Sequence, residues 1–244
     1  MRLNADLGEH FGTWQMGNDQ AIMPYIDEAN IACGYHAGDA LVMQQTLSLA
    51  KQHKVLAGAH VSYPDIQGFG RRSMAIKEQE LIAMIQAQIA VLEGLAKCQR
   101  LTLSHVKPHG ALYNDMMHNE SVFEAVVKAL ASYHCRYPLV IQALADNQAQ
   151  ISIAEKYKVT IVLEAFADRR YTSTGLLVSR QISGAVLNEQ EALVQAQSIV
   201  EDGQVITACG SILPISAQTL CVHSDTPDAI ELCKKISSLL KLTE

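Results

Sequence analysis

Short apolar or β-branched runs alternate along the chain with clusters of Gly, His, Asp or Pro, and each cluster leads into a stretch of helical period. That rhythm predicts repeated strand, loop and helix units. Strand runs lead into residues 4–9, 30–36, 55–60, 103–107, 139–143, 160–164 and 220–223. Seven such runs with intervening helices predict an α/β barrel rather than an open sheet. Leu81, Ile85, Ile89 and Leu92 repeat at steps of four and three and mark one buried helix face. Val122, Phe123, Val126, Val127 and Leu130 mark another. Asn119 and Asn188 are expected N-caps, the second with Glu191 at capping-box spacing. Thr226-Pro227 is the expected start of the last helix. Residues 204–215 carry Gly210-Ser211 between two β-like runs, which predicts a hairpin that interrupts the βα rhythm.

A chain of 244 residues matches one such barrel, and no linker or repeat divides it, so a single domain over 1–244 is expected. At 49% hydrophobic and 18% charged it has enough apolar material for a large core, and a soluble globule is the expectation. The net charge of −6, without a basic run, excludes an ordinary nucleic-acid surface. No run reaches the roughly 18 to 20 consecutive apolar residues of a membrane span. The opening residues lack signal-peptide character, which sets the expected location as cytoplasmic. Six scattered cysteines show no CxxC spacing and are expected to be small buried apolar residues.

Chemically able side chains gather at the predicted strand ends. His36, His60, His105, His109 and His223 lie there, with Asp6, Glu9, Asp39, Asp65, Lys107, Glu164, Asp168, Arg169 and Asp225. All strand C-termini of a parallel barrel meet on one face, so these residues are expected to converge on an active site. Some have a second reading. Asp39 and Asp225 each precede a helix and could be caps, whereas His10, His53, His118 and His134 are expected to be solvated. Lys107-Pro108-His109-Gly110 places a buried lysine that calls for an anion beside an imidazole. Gly68-Phe69-Gly70-Arg71-Arg72 couples two flexible positions to two guanidinium groups suited to a carboxylate or phosphate, or else forms a solvated loop. Phosphate-loop, nucleophile-elbow and zincin motifs are missing.

These clusters, in order, resemble the LamB/YcsF family. The resemblance rests on residues 4–12, 29–39 (which include Asn30), 58–60, 63–65, 68–72, 106–114, 164–171 and 222–227. Val61 stands where the family usually has Pro, and Ser224 where Gly is common. The resemblance implies a TIM-like (βα)7/8 barrel of the glycoside hydrolase/deacetylase type. The activity it implies is that of the A subunit of an ATP-dependent 5-oxoprolinase, with ATP and Mg2+ as cofactors. The implied partners are B and C subunits that resemble the two parts of allophanate hydrolase.

On that scheme Lys107 and Arg71 or Arg72 bind carboxylate or phosphoryl oxygens. Asp6, Glu9, Glu164 or Asp168 act as base or magnesium ligand, His36, His60 or His109 move protons, and Asn30, Asp39, Asp65, Arg169, His223 and Asp225 bind substrate. A second reading is a metal-dependent deacetylase in which Asp6, His36 and His60 hold a divalent ion. A third is a sugar-binding or regulatory subunit without catalysis.

Overall fold

The strand alternation decides what fills the barrel. A computed structural model describes residues 1–180, 182–224 and 228–242. Its strands are β1 (Arg2–Leu7), β2 (Glu28–Ala32), β3 (Leu56–Val61), β4 (Leu103–Pro108), β5 (Leu139–Gln142), β6 (Ile161–Phe166), β7 (Gln204–Ile206), β8 (Ile212–Pro214) and β9 (Thr219–His223). β1 to β6 pair in chain order, all parallel, and β9 closes the barrel between β6 and β1. The barrel therefore has seven strands. β7 and β8 form the expected antiparallel hairpin outside it.

One face of each strand is apolar: Leu3, Ala5 and Leu7 on β1, Ala29 and Ile31 on β2, Leu220 and Val222 on β9, all buried in the main core. The opposite face points inward and is polar. Asn4, Asn30, His105 and Thr219 are buried and bonded to one another: Asn4 donates to Thr219 Oγ1 (2.8 Å), Asn30 to Asn4 Oδ1 (2.8 Å), and His105 Nε2 lies 2.7 Å from Asn30 Oδ1. Burial draws His105 down to about 4, so it serves this network as a neutral ring. The barrel holds a hydrogen-bonded interior because buried polar groups are tolerable only when paired.

The helices are α1 (Asp19–Ile22), α2 (Ala40–His53), α3 (Glu78–Cys98), α4 (Gly110–His118), α5 (Glu120–Ala131), α6 (Gln148–Lys156), α7 (Glu189–Asp202) and α8 (Ala229–Leu242). Both predicted asparagine caps are present, Asn188 in a full capping box with Glu191. The Thr226-Pro227 start lies outside the described residues. Among the described residues α3 is long and apolar enough to cross a membrane by length and composition. Its Leu81, Ile85, Ile89 and Leu92 stripe is buried in the barrel core instead. The cysteine expectation is half right: Cys33, Cys221 and Cys233 are buried, whereas Cys98, Cys135 and Cys209 are exposed.

Two buried glutamines tie the helical layer to the strand ends. Gln88 of α3 accepts from Ser62 N–H (2.8 Å) and donates to Ser62 O (2.9 Å). Gln195 of α7 donates to the carbonyls of Phe166 (2.9 Å), Ala167 (3.1 Å) and Arg169 (2.8 Å). Asp19 does the same for β1, accepting Gly8 N–H (2.9 Å) and the Thr46 hydroxyl (2.8 Å).

The interior requires a glycine at position 58: a Cβ there would stand 2.1 Å from His105 Nε2. Gly58→Ala is expected to push His105 off Asn30 and cost about 1–3 kcal/mol in a chemical denaturation curve. Gly94, on α3 with open space around it, should behave oppositely, Gly94→Ala stabilising by roughly 0.5–1 kcal/mol. A second prediction concerns Glu93, which bonds Tyr137 (2.7 Å), Tyr133 (3.2 Å) and His134 (2.9 Å) and ion-pairs with Lys97 (3.1 Å). Burial opposes its ionisation, yet these donors win and draw it from 4.5 to about 2. A carboxyl depressed by folding stabilises above its unfolded value and loses that contribution as pH falls through the folded one. Melting temperature should therefore fall between about pH 4.5 and pH 2 less steeply in Glu93→Gln than in the parent chain.

Candidate active site

Four strands deliver one charge cluster. The Lys107 ammonium, fully buried on β4, donates to Asp6 Oδ1 (2.8 Å), Cys221 Sγ (3.2 Å) and Asn4 Oδ1 (3.4 Å), and ion-pairs with Glu164 Oε1 (2.8 Å). Asn30 donates to the same Asp6 oxygen (2.9 Å), and the Tyr113 hydroxyl donates to Glu164 Oε2 (3.0 Å). Burial would discharge Lys107, but the attraction of Asp6 and Glu164 outweighs it and holds the ammonium well above its usual range. Asp6 is likewise held well below the carboxylate range, His60 and Lys107 prevailing over burial. Glu164 moves upward, because its burial exceeds the pull of Lys107. The anion that a buried lysine calls for is thus supplied by the protein's own carboxylates, Asp6 and Glu164.

Beside this cluster stand three imidazoles. His60 Nδ1 donates to the Lys107 carbonyl (2.9 Å), and His109 Nε2 donates to the Phe69 carbonyl (2.9 Å). The remaining nitrogens, His60 Nε2 and His109 Nδ1, face each other at 3.0 Å. Asp6 Oδ2 lies 3.3 Å from His60 Nε2, and Glu9 Oε1 lies 3.3 Å from His109 Nδ1. His36 stacks flat on His109 with ring centroids 3.8 Å apart and bonds Glu9 Oε1 through Nε2 (3.1 Å). Burial lowers His36 and His109 well below the usual imidazole range, so both are neutral rings. Gly70 lets its loop cover this cluster: its φ is +64°, and a Cβ would stand 2.8 Å from both His109 Cδ2 and His36 Cβ.

On the far side His223 Nδ1 contacts both Asp168 oxygens (3.0 and 2.9 Å), and the His223 ring stacks on Phe166. Despite burial, His223 keeps Asp168 below the usual carboxylate range. A carboxylate on one ring nitrogen fixes the tautomer and orientation of the imidazole. Asp6, His60, Lys107, His109 and His223 all line a cavity of about 500 Å3 at the strand C-termini. Beyond the strand ends the same cavity is lined by the loop-borne cations Arg71, Arg169 and Arg180. Arg71 sits 4.9 Å from the Phe69 ring centroid, and Arg169 Nη2 donates to the Val178 carbonyl (2.7 Å).

Several expected site residues lie elsewhere. Asp65 is buried and paired with Arg72, whose side chain is 61% exposed; the pair staples its own loop and does not reach the cavity. Asp39 is the N-cap of α2, accepting from Leu41 (2.9 Å), Val42 (3.0 Å) and Gly12 (2.8 Å). His105 and Asn30 sit inside the barrel beneath Asp6 rather than on the cavity wall. Glu9 and His36 back the cavity through His109. Asp225 lies outside the described residues. His118 is exposed, as expected, and also lines the cavity. Tyr113, Cys221, Ser179 and Arg180 join the site without a sequence expectation behind them. Tyr113 lies four residues after His109 and follows from helical spacing, but Ser179 and Arg180 sit in a loop with no pattern.

The sequence matches the LamB/YcsF family over residues 1–244. A Vibrio cholerae protein, named as the A subunit of 5-oxoprolinase, is 48% identical over 98% of this chain and 97% of its own length. One of the same name from Pseudomonas fluorescens is 47% identical over 98% of this chain and 96% of its own. The crystal structure of a lactam utilization protein from Thermus thermophilus superposes with a TM-score of 0.90 at 35% identity, covering 99% of this chain and 96% of that one. The α/β barrel expected from the sequence resemblance is the fold observed, and with a match from first residue to last the chain belongs to the LamB/YcsF family.

Proposed function

We propose that this chain takes part in lactam utilisation as the A subunit of an ATP-dependent 5-oxoprolinase, opening the ring of 5-oxo-L-proline to L-glutamate together with B and C subunits. The relatives' names point to this substrate. The observation that carries the reading is the division of the cavity, with Asp6, His60, Lys107 and His223 borne on strands and three guanidinium groups borne on loops. A small cyclic amide carrying a carboxylate fits that division. Its carboxylate goes to the arginines, which bind such groups bidentately, and its ring carbonyl goes to the strand ends.

Coupling to ATP has a physical reason. In glutamate the amine and side-chain carboxyl are tethered, and well-oriented intramolecular pairs reach effective molarities of roughly 10⁵ M or more. Ring closure therefore competes with opening. MgATP supplies a phosphoryl group that activates the lactam oxygen, and the residues lining the outer cavity, Arg71, Arg169, Ser179 and Arg180, suit an anionic group of that kind. His223, oriented by ionised Asp168, takes a proton from the attacking water. It returns that proton to the ring nitrogen as the carbon–nitrogen bond breaks. ADP leaves as the lactam oxygen is phosphorylated, the first water and C–N cleavage leave an acyl phosphate on the side-chain carboxyl, and a second water cleaves it to glutamate and phosphate. Lys107 keeps Asp6 ionised and fixes Glu164 against Tyr113, so its role is to hold the site together.

The decisive assay measures glutamate release from 5-oxoproline by the purified chain with its B and C partners, with and without MgATP. Glutamate formed only with ATP is expected; none under any condition, with folded partners, removes the assignment. Within that assay His223→Gln should lower turnover by about 10²–10⁴-fold, with Asp168→Asn close behind; near-parental rates would remove the dyad from the mechanism. Lys107→Met leaves two buried carboxylates without their cation, so it should lose roughly 3–5 kcal/mol of stability as well as activity. A stable, active variant would show that the buried cation is dispensable.

A further inference from the structure

We infer that Asp6, Glu9, His60 and His109 form a binding site for one divalent transition-metal ion of the zinc class, open to the cavity. The inference stands on side-chain geometry and is independent of the oxoprolinase reading.

The hydrogen bonds fix both rings. A carbonyl only accepts, so His60 carries its proton on Nδ1, facing Lys107 O, and His109 carries its proton on Nε2, facing Phe69 O. Backbone carbonyls behind two imidazoles are the usual outer contacts of metal-ligating histidines. The opposite nitrogens, His60 Nε2 and His109 Nδ1, are the ones left to ligate, and they point at each other across 3.0 Å. Carboxylate oxygens close the rest of the space: Asp6 Oδ2 at 3.3 Å from His60 Nε2, and Glu9 Oε1 at 3.3 Å from His109 Nδ1 and 4.0 Å from His60 Nε2. Ligand atoms of Glu9, His60 and His109 lie within 4.8 Å of one another, and Asp6 Oδ2 reaches the same pair of rings through His60 Nε2 (3.3 Å), an arrangement that a cation between them satisfies.

Ligand bonds of about 2.0–2.1 Å in a tetrahedron place donor atoms about 3.3 Å apart, and four of the six edges, at 3.0, 3.3, 3.3 and 4.0 Å, bracket that value. Ring planes settle which histidines take part. His60 and His109 cross at 84°, so both can aim in plane at one ion. His36 lies parallel to His109 within 4°, so the two rings cannot both hold the same ion in their planes. His36 instead orients Glu9 through Nε2 (3.1 Å), which makes it a positioning residue. Of the three residues expected from the sequence to hold metal, Asp6 and His60 remain and His109 replaces His36. Asp6 is already divided, with Oδ1 on Lys107 and Asn30 and Oδ2 turned to His60. Two imidazole nitrogens with two carboxylate oxygens suit zinc, cobalt or manganese better than magnesium or calcium, which prefer oxygen alone. Asp6, His60 and His109 reach the cavity wall, so a bound ion would meet a substrate carbonyl or water there.

The test needs no substrate. Full-length protein is stripped with chelator, checked for fold by circular dichroism, and titrated separately with Zn2+, Co2+ and Mn2+, reading stoichiometry, melting temperature and the visible spectrum of the cobalt form. One ion per chain, a raised melting temperature and a tetrahedral cobalt spectrum are expected. His60→Gln and His109→Gln should each weaken binding by at least about 10–100-fold, and His36→Gln by a smaller factor within that range. If the folded, stripped chain binds none of the three ions, the two rings share a proton instead and the inference falls. It also falls if binding survives both His60→Gln and His109→Gln unchanged. Either result leaves the glutamate assay to judge the oxoprolinase reading separately.

Discussion

The contact on which the site depends is the Lys107 ammonium held between Asp6 and Glu164 inside the barrel. Each of these charges alone would carry a desolvation penalty of several kcal/mol. Together they are tolerated only if β1, β4 and β6 bring them to one level, with β9 supplying Cys221 beside them. Replacing a buried ion pair with well-packed apolar side chains of similar volume is often neutral or stabilising. Stability therefore does not explain the cluster, and a chemical task does. Beneath it, Asn4, Asn30, His105 and Thr219 satisfy one another in the barrel interior, so this layer of the inner face is built from mutual hydrogen bonds.

A site of this kind needs a frame that does not give. Gln88 and Gln195 extend from the surrounding helices to bind backbone at the ends of β3 and β6, and Asp19 anchors the turn after β1. These three side chains carry no reaction chemistry, yet each fixes the backbone next to residues that do. The loop through Phe69 and Gly70 adds a lid of the same rigid character, since its carbonyl at Phe69 sets the tautomer of His109. The staple between Asp65 and Arg72 belongs to that loop.

Periodicity makes the frame legible, because a period of two in the strands and near 3.6 in the helices follows directly from which face is buried. Seven strand runs, two asparagine caps and the hairpin at Gly210-Ser211 are readable for that reason. The strand-end rule also points to the face where Asp6, His60, Lys107, His109 and His223 line one cavity, with Glu164 paired to Lys107 behind them. Sequence position does not reveal pairing. Asp65 and Arg72 have the right chemistry but find each other, Asp39 finds three backbone N–H groups, and Lys107 finds carboxylates of the same chain. Arg180 and Ser179 reach the cavity from an irregular loop, where no repeat marks which side chain turns inward.

Asp6 is the joint between the two halves of the site. One of its oxygens closes the ion pair with Lys107, and the other faces His60, so the ammonium cluster and the imidazole pair share a single carboxylate. Charge placed between His60 and His109 is felt at Lys107 through that carboxylate, and loss of the ammonium would leave Asp6 to be stabilised from the imidazole side alone. The loop-borne arginines stand apart from this coupling, beyond the strand ends. The cavity thus separates two tasks in space. Its outer part attracts an anionic ligand and sets its orientation, while its inner part presents coupled acids and bases to the carbonyl that this orientation brings inward.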